Sequence, residues 1–373
     1  MFDKISRRRF LGHVGRVSAV AGAALAGSGC PTPVIPPNAP VTHRSRVVAV
    51  RGRDLVTMTR ETLEAFGGIE SVVNPGETVF IKPNFGAIGM VQYNPIRDGD
   101  CAKPEIVLTV AEECLKAGAA EVIIGEGGQS NVWDWKDVET LDGATNVADE
   151  AARLTHRYPG KVSLVCLNSQ SPTYTPIPSP FTTLGEIYIS SLLLEADRII
   201  SIPVIKSHRW TQVTASLKNF VGVTPAPRYG MGLMWRFLLH NAGIEQCFLD
   251  VVRAVQPDFA IADCSICCEG NGPHVMPGWW GTTVDMRDRL GDWLLLAGTD
   301  LAAVDATAAR VISHDPDAVD HLRMAYEQGF GQIQEALIDL DGARLDELRV
   351  PWQPAEHTEG FSEVLLPGAM LVL

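Results

Sequence analysis

Residues 196–223 read ADRIISIPVIKSHRWTQVTASLKNFVGV. Within them "DRIISIPVI" (197–205) is a β-branched run of the kind found in strands buried on both faces. Such a strand belongs to a parallel sheet covered by helices. It hands over at once to Lys206, His208 and Arg209, and "VTASLKN", read as a helical turn, brings Lys218 and Asn219 back beside them. In open parallel sheets, ligands bind beyond the carboxyl ends of the strands.

The same rhythm repeats on either side. "RVVAV" (46–50) and "TVFIKPN" (78–84) read as strands with a helix at 54–66 between them. In "KPEIVLTVAEECLKAGA" (103–119) Ile106, Val107, Val110, Ala111 and Cys114 share one helical face, with Pro104 in the first turn and Gly118 at the end. "EVIIGEGG" (121–128), "KVSLVCLN" (161–168), "DFAIADCS" (258–265) and "WLLLAG" (293–298) read as further strands, and 243–255 and 300–313 as helices. Repeated strand–helix–strand units predict an α/β fold, a doubly wound and mostly parallel sheet with helices on both faces. Segments 171–195 and 222–242 lack this rhythm, read as irregular or locally antiparallel, and are expected to form a small irregular cap.

The 373 residues carry 46% apolar and 20% charged side chains, a globular balance, and a formal charge of -13. Residues 1–29 hold five cations against Asp3, a net +4, so the remainder stands at -17 and no nucleic-acid partner is expected. Lysine is scarce, eight in all, yet Lys82, Lys206 and Lys218 each sit at the edge of an apolar element. A compact, titratable ammonium differs chemically from the guanidinium this chain otherwise prefers.

"SRRRFLG" (6–12) followed by the short apolar "VSAVAGAALAGSG" (17–29) reads as a signal peptide over 1–29. Arg7 and Arg8 with Phe10 and Leu11 fit the twin-arginine pattern, which implies the twin-arginine translocase as a partner and a periplasmic destination. Two processing sites stay open: cleavage after Ala26, or lipidation at Cys30 with the Pro-rich stretch 30–45 as a spacer from a membrane anchor. The α/β domain then runs from 46 to 373. The twin-arginine route carries folded proteins, which fits a bound cofactor whose identity stays unknown.

Several motifs carry chemistry. "IKPNFG" (81–86) places Lys82 and Asn84 at a strand exit, where they can hold an anionic oxygen. "GEGGQS" (125–130) reads as a turn rather than a nucleotide loop, since the full dinucleotide spacing is missing. Lys206 can neutralise an anion or form a Schiff base if desolvated, and His208 can serve as acid or base. "DCSICCEGNGPH" (263–274) offers Glu269 on a Gly-rich loop. Its Cys264, Cys267 and Cys268 read as inert buried thiols, with a Cys264–Cys267 disulfide or a metal site completed by His274 as alternatives. Asp300 is placed to cap a helix, and Asp305 inside that helix needs a partner, for which a cleft lysine is the natural candidate.

Together "IKPN", "ADRIISIPVIKSHRWTQVTASLKNFVGV", "DCSICCEGNGP" and "LAGTDLAAVDA" resemble the bacterial and archaeal domain of unknown function 362, over roughly residues 46–315. The resemblance implies a domain and no settled reaction. Many relatives carry a ferredoxin-like four-cysteine segment, and no such run occurs here. "DRIISIPVIKSH" followed by "SLKNFVG" is also similar to the Lys-x-His segment of lactate-racemase-like proteins, whose relatives use a nickel-pincer cofactor. That likeness implies catalytic or cofactor-contacting roles for Lys206 and His208 and a racemase- or oxidoreductase-like proton or hydride transfer at a hydroxy acid.

The expectation is one cleft for a small anionic, carboxylate-like ligand. Lys206, His208 and Glu269 are its candidate catalytic residues, and Lys82, Asn84, Lys218, Asn219, Asp300 and Asp305 its candidate ligand-binding residues. The competing class is a membrane-tethered binding protein for a small anion or metal complex, which needs the lysines but not His208 or Glu269.

Overall fold

The computed structural model describes residues 41–130, 133–170, 173–230, 236–275 and 281–356. The signal segment 1–29, Cys30 and the spacer up to residue 40 lie outside them. None of the helices in the described residues is long and apolar enough to cross a membrane.

Strands β1 (Ser45–Gly52), β2 (Thr78–Pro83), β3 (Glu121–Glu126), β4 (Lys161–Cys166), β7 (Arg198–Ile202), β10 (Phe259–Glu269), β12 (Trp293–Gly298) and β13 (Ile338–Asp341) make one sheet in the order β13-β1-β12-β10-β7-β2-β3-β4. The block β10-β7-β2-β3-β4 is parallel throughout. Its strands are buried end to end at the centre: Val79, Phe80, Ile81, Ile199 and Ile200 have no exposed surface, and every residue of β10 is buried. On one face lie α1 (Leu55–Ala65), α2 (Pro104–Lys116) and α3 (Val147–Arg157), each packed on the next. On the other lie α4 (Ile244–Val255), α5 (Leu301–Val311) and α6 (Asp320–Glu327). The hairpin β5 (Tyr174–Ser179) and β6 (Gly185–Ser190) forms a separate antiparallel sheet, in a stretch expected to be irregular or locally antiparallel. The expected doubly wound α/β architecture is present.

One strand departs from the parallel reading. β12 runs antiparallel to both β1 and β10, so its carboxyl end lies at the opposite edge of the sheet from the other exits. An apolar run such as WLLLAG carries no mark of its direction.

The chain winds outward from β2 through β3 to β4, then returns to lay β7 on the other side of β2. This reversal between β2 and β7 is a topological switch point, where doubly wound sheets leave a crevice. Pro203 widens it. Having no N–H, it interrupts the expected single strand 197–205, which becomes β7 and β8 (Val204–His208). β7 pairs β2 as far as Ile202 opposite Pro83. β8 instead pairs β10 and the short β9 (Gln212–Thr214), with a register shift along β10. The remaining short strand β11 (Thr282–Asp285) pairs the end of β10.

Candidate functional site

A cavity of about 110 Å³ occupies that crevice. β2 and its exit supply Lys82 and Asn84, β3 and its exit Glu126 and Gly127, β8 Lys206 and His208, and a 3-10 turn at Lys218–Val223 supplies Lys218 and Asn219. Arg236, His240 and His274 also line it.

Each cation is held differently. Lys82 donates to Glu126 Oε2 at 2.8 Å, Pro83 O at 2.6 Å and Asn219 Oδ1 at 3.4 Å, so all three ammonium hydrogens have acceptors. Burial lowers its pKa and the Glu126 carboxylate opposes that shift. Asn219 also donates to Lys82 O at 2.7 Å and Ser201 Oγ at 3.1 Å, which makes it the clamp on Lys82 rather than a free ligand group. Lys206 Nζ donates to Asp100 O at 2.7 Å. Arg236 binds Gly127 O and the carbonyl and hydroxyl of Thr224, and burial lowers its pKa to about 10. Lys218 is only 9% exposed and, among the described residues, its ammonium has no hydrogen bond or ion pair.

The glycines here serve close approach. A Cβ on Gly222 would lie 2.6 Å from Glu126 Oε1 and 2.8 Å from Lys82 Nζ, and one on Gly127 would lie 2.4 Å from Gly222 O. The GEGG and FVG motifs therefore let two backbones close over the Lys82–Glu126 pair. Among the described residues Glu126 Oε1, Gln129 Oε1 and Thr214 Oγ1 are buried without a hydrogen-bond partner, and all three residues line the cavity. Such orphans in a native fold mark a place where a ligand or water completes the set.

His208 is held by contacts that its sequence does not announce. Its Nδ1 accepts from the backbone N–H of Trp210 at 3.1 Å and of Thr211 at 3.3 Å. Burial above all, with the Lys206 ammonium adding to it, pushes its pKa well below the usual histidine value. The neutral ring must therefore carry its proton on Nε2. It offers the cavity a donor and not a base.

The base-like histidine is His274. Its Nδ1 lies 3.0 Å from Asp100 Oδ2, and Asp100 is fixed by Tyr93 Oη and by the Val275 N–H at 3.0 Å. The Asp100 carboxylate sets Nδ1 as the donor and fixes the orientation of the ring. In the sequence His274 stands out only as a candidate metal ligand. Arg236, His240 and Asp100 do not stand out there at all, since the first two lie in the stretch without periodicity and the third in a long loop after β2.

Three expected site residues are not in the cavity. Glu269 Oε1 accepts from Arg289 at 2.7 Å and Oε2 from the Gln353 N–H at 2.9 Å, so the C-terminal segment holds it elsewhere. Asp300, at the end of the antiparallel β12, sits at the far edge, where it caps α5 through Ala303 N–H and accepts from Ser45 Oγ. Asp305 finds its partners in the backbone N–H groups of Ser216 at 2.7 Å and Leu217 at 2.9 Å, not in a lysine. Burial still pushes its carboxyl up to about 7. Its role is to fix the turn that presents Lys218.

Cys264, Cys267 and Cys268 are buried, free thiols in β10. Among the described residues no three His, Cys, Asp or Glu side chains stand close enough together to hold a metal ion.

The chain belongs to the family Domain of unknown function (DUF362), whose pattern it matches over residues 79–310. It is 27% identical over 271 residues to the thylakoid-associated protein sll1697 of Synechocystis sp., covering 71% of this chain and 72% of that one. Among solved structures it is similar to the lactate racemase apoprotein from Thermoanaerobacterium thermosaccharolyticum, with TM-score 0.34 and 11% identity over 62% of this chain and 52% of the other. A Thermotoga maritima protein gives TM-score 0.38 and 12% identity over 74% and 58% of the two chains.

Proposed function

We propose that the cavity binds a small carboxylate anion and that the protein is an enzyme moving a proton on it. One observation carries the reading: the cations Lys82, Lys206 and Arg236 line one cavity in which the one carboxylate among the described residues, Glu126, is already paired with Lys82. Buried cations without counter-charge are costly, and an anionic ligand is the natural compensation. The cavity's size suits a ligand of a few heavy atoms, and the acidic exterior could not draw such an anion from afar, since salt screens fields beyond about 8 Å. His274 on Asp100 serves as the base, Lys206 neutralises the carboxylate, and the Nε2–H of His208 orients an oxygen. Binding of pyruvate, oxalate and phosphate measured by calorimetry tests this. Lys206→Ala should weaken carboxylate binding at least about tenfold, roughly 1.4 kcal/mol. Carboxylate binding unchanged in that variant would remove the site. If instead binding is tight and His274→Ala alters no reaction, the protein is the non-catalytic anion carrier.

We also propose that the chain is exported through the twin-arginine translocase to the periplasm, with Cys30 as a lipid anchor. Support comes from Arg7, Arg8 and the Pro-rich spacer, and a relative described as thylakoid-associated fits work at a membrane surface. Replacing Arg7 and Arg8 with Lys should leave the precursor in the cytoplasm, and Cys30→Ala should release the mature protein from the membrane. Normal export of the first variant would overturn the route, and unchanged membrane association of the second would overturn the anchor.

A further inference from the structure

The buried lysines of this chain are not alike. Lys82 has three acceptors, Lys103 has Asp263 at 3.2 Å with Cys101 O and Ile266 O, and Lys206 has Asp100 O. Lys218, nine-tenths buried and facing the same cavity, has none among the described residues. A partnerless ammonium is the least stable form of a buried lysine, while a neutral amine tolerates the place.

The groups around Lys218 reinforce this. Lys206 from β8 repels a second positive charge, and of the carboxylates Glu245 on α4 acts on it, with less effect than Lys206. Burial keeps His208, His240 and His321, from three different elements around it, neutral, the last two with pKa values near 3, so none of them supplies a counter-charge. Burial first and Lys206 second drive Lys218 well below the ordinary lysine range. The amine is also aimed. Asp305 holds the Ser216 and Leu217 N–H groups, and Asn219 N donates to Ala215 O at 3.2 Å, so the turn presenting it is fixed on both sides.

We infer that Lys218 is a nucleophilic amine that forms a Schiff base with the carbonyl of a small 2-oxo acid, its carboxylate lying against Lys206. This deepens the carboxylate-site reading and rests on it. An unprotonated amine reacts with a carbonyl, and the neighbouring cations select a carbonyl compound that is also an anion. The Lys218 Nζ lone pair forms a bond to the carbonyl carbon, and the oxygen takes up a proton to give a carbinolamine. Loss of that oxygen as water completes the imine. The C=O bond breaks, the C=N bond forms, and the two amine hydrogens leave with the oxygen. His274 on Asp100 is the group that passes a proton from nitrogen to oxygen, and no oxidant or reductant is required.

The test is reductive trapping of the full chain with pyruvate and cyanoborohydride near pH 7, read by intact mass and peptide mapping, beside calorimetry of pyruvate binding without reductant. The expected result is one reduced adduct per chain on the peptide carrying Lys218, suppressed by excess oxalate and lost in Lys218→Arg. Mapping on the unaltered protein keeps the test valid should that variant misfold. Adducts spread over exposed lysines such as Lys116 and Lys161, or an adduct on Lys206, would overturn the assignment. Pyruvate binding with no adduct overturns the Schiff base and leaves the anion site standing. No binding of any carboxylate overturns the site itself, and the inference with it.

Discussion

Glu126→Ala should lower the unfolding free energy by about 3–5 kcal/mol, among the largest losses a single truncation can produce here. The residue is 1% exposed, and so is Lys82, its partner at 2.8 Å. Glu126 Oε2 also accepts from the Phe85 N–H at 2.8 Å. Truncation leaves a buried ammonium with neutral acceptors alone and a buried amide with no acceptor. Gly222 packs so close to the tips of both side chains that a Cβ there would clash with each of them. Replacing both partners with apolar groups, Lys82→Met with Glu126→Leu, should recover much of the loss, since no charge is then left uncompensated. Urea denaturation of the wild type and the two variants measures both effects. A loss under about 1 kcal/mol for Glu126→Ala would put the pair on the scale of solvated surface bridges and contradict its burial.

How much of this was legible in the sequence depends on the kind of signal. Runs such as TVFIKP and RIISI announce buried strands because solvent exclusion selects β-branched side chains on both faces, so the sheet and its exits could be read directly. Lys82, Lys206 and Lys218 stood out because a lysine at the end of such a run breaks the apolar pattern. Direction was not legible. WLLLAG pairs equally well either way, and its reversal moved Asp300 to the far edge of the sheet. Nor was the fate of a carboxylate. Glu269 and Asp305 look available in one dimension, but Arg289 and the amides of Ser216 and Leu217 reach them only through tertiary structure. The tautomer of His208 is similar, since it depends on two backbone N–H groups of a turn that the pattern did not resolve. Arg236 sits at a left-handed φ of 56° in a stretch without periodicity, so nothing short of the fold could place its guanidinium beside Gly127.

Asp100→Asn should reduce turnover of a bound carboxylate substrate by about 10²–10⁴-fold while leaving its binding nearly intact. The carboxylate has three donors around it: Tyr93 Oη, His274 Nδ1 and the Val275 N–H. An amide of the same shape supplies one oxygen, and its NH2 must then face a group that also donates. The least costly escape is for His274 to move its proton to Nε2, so that Nδ1 accepts from the new amide. That tautomer presents a donor to the cavity, as His208 already does, and the site is left with two donors and no base. Lys206 reaches the backbone oxygen of residue 100 and not its side chain, so the substitution spares the anion-holding contact. The signature is a fall in kcat with KM little changed. Loss of carboxylate binding in this variant would instead assign Asp100 to holding the loop. Unchanged turnover would take the base away from His274.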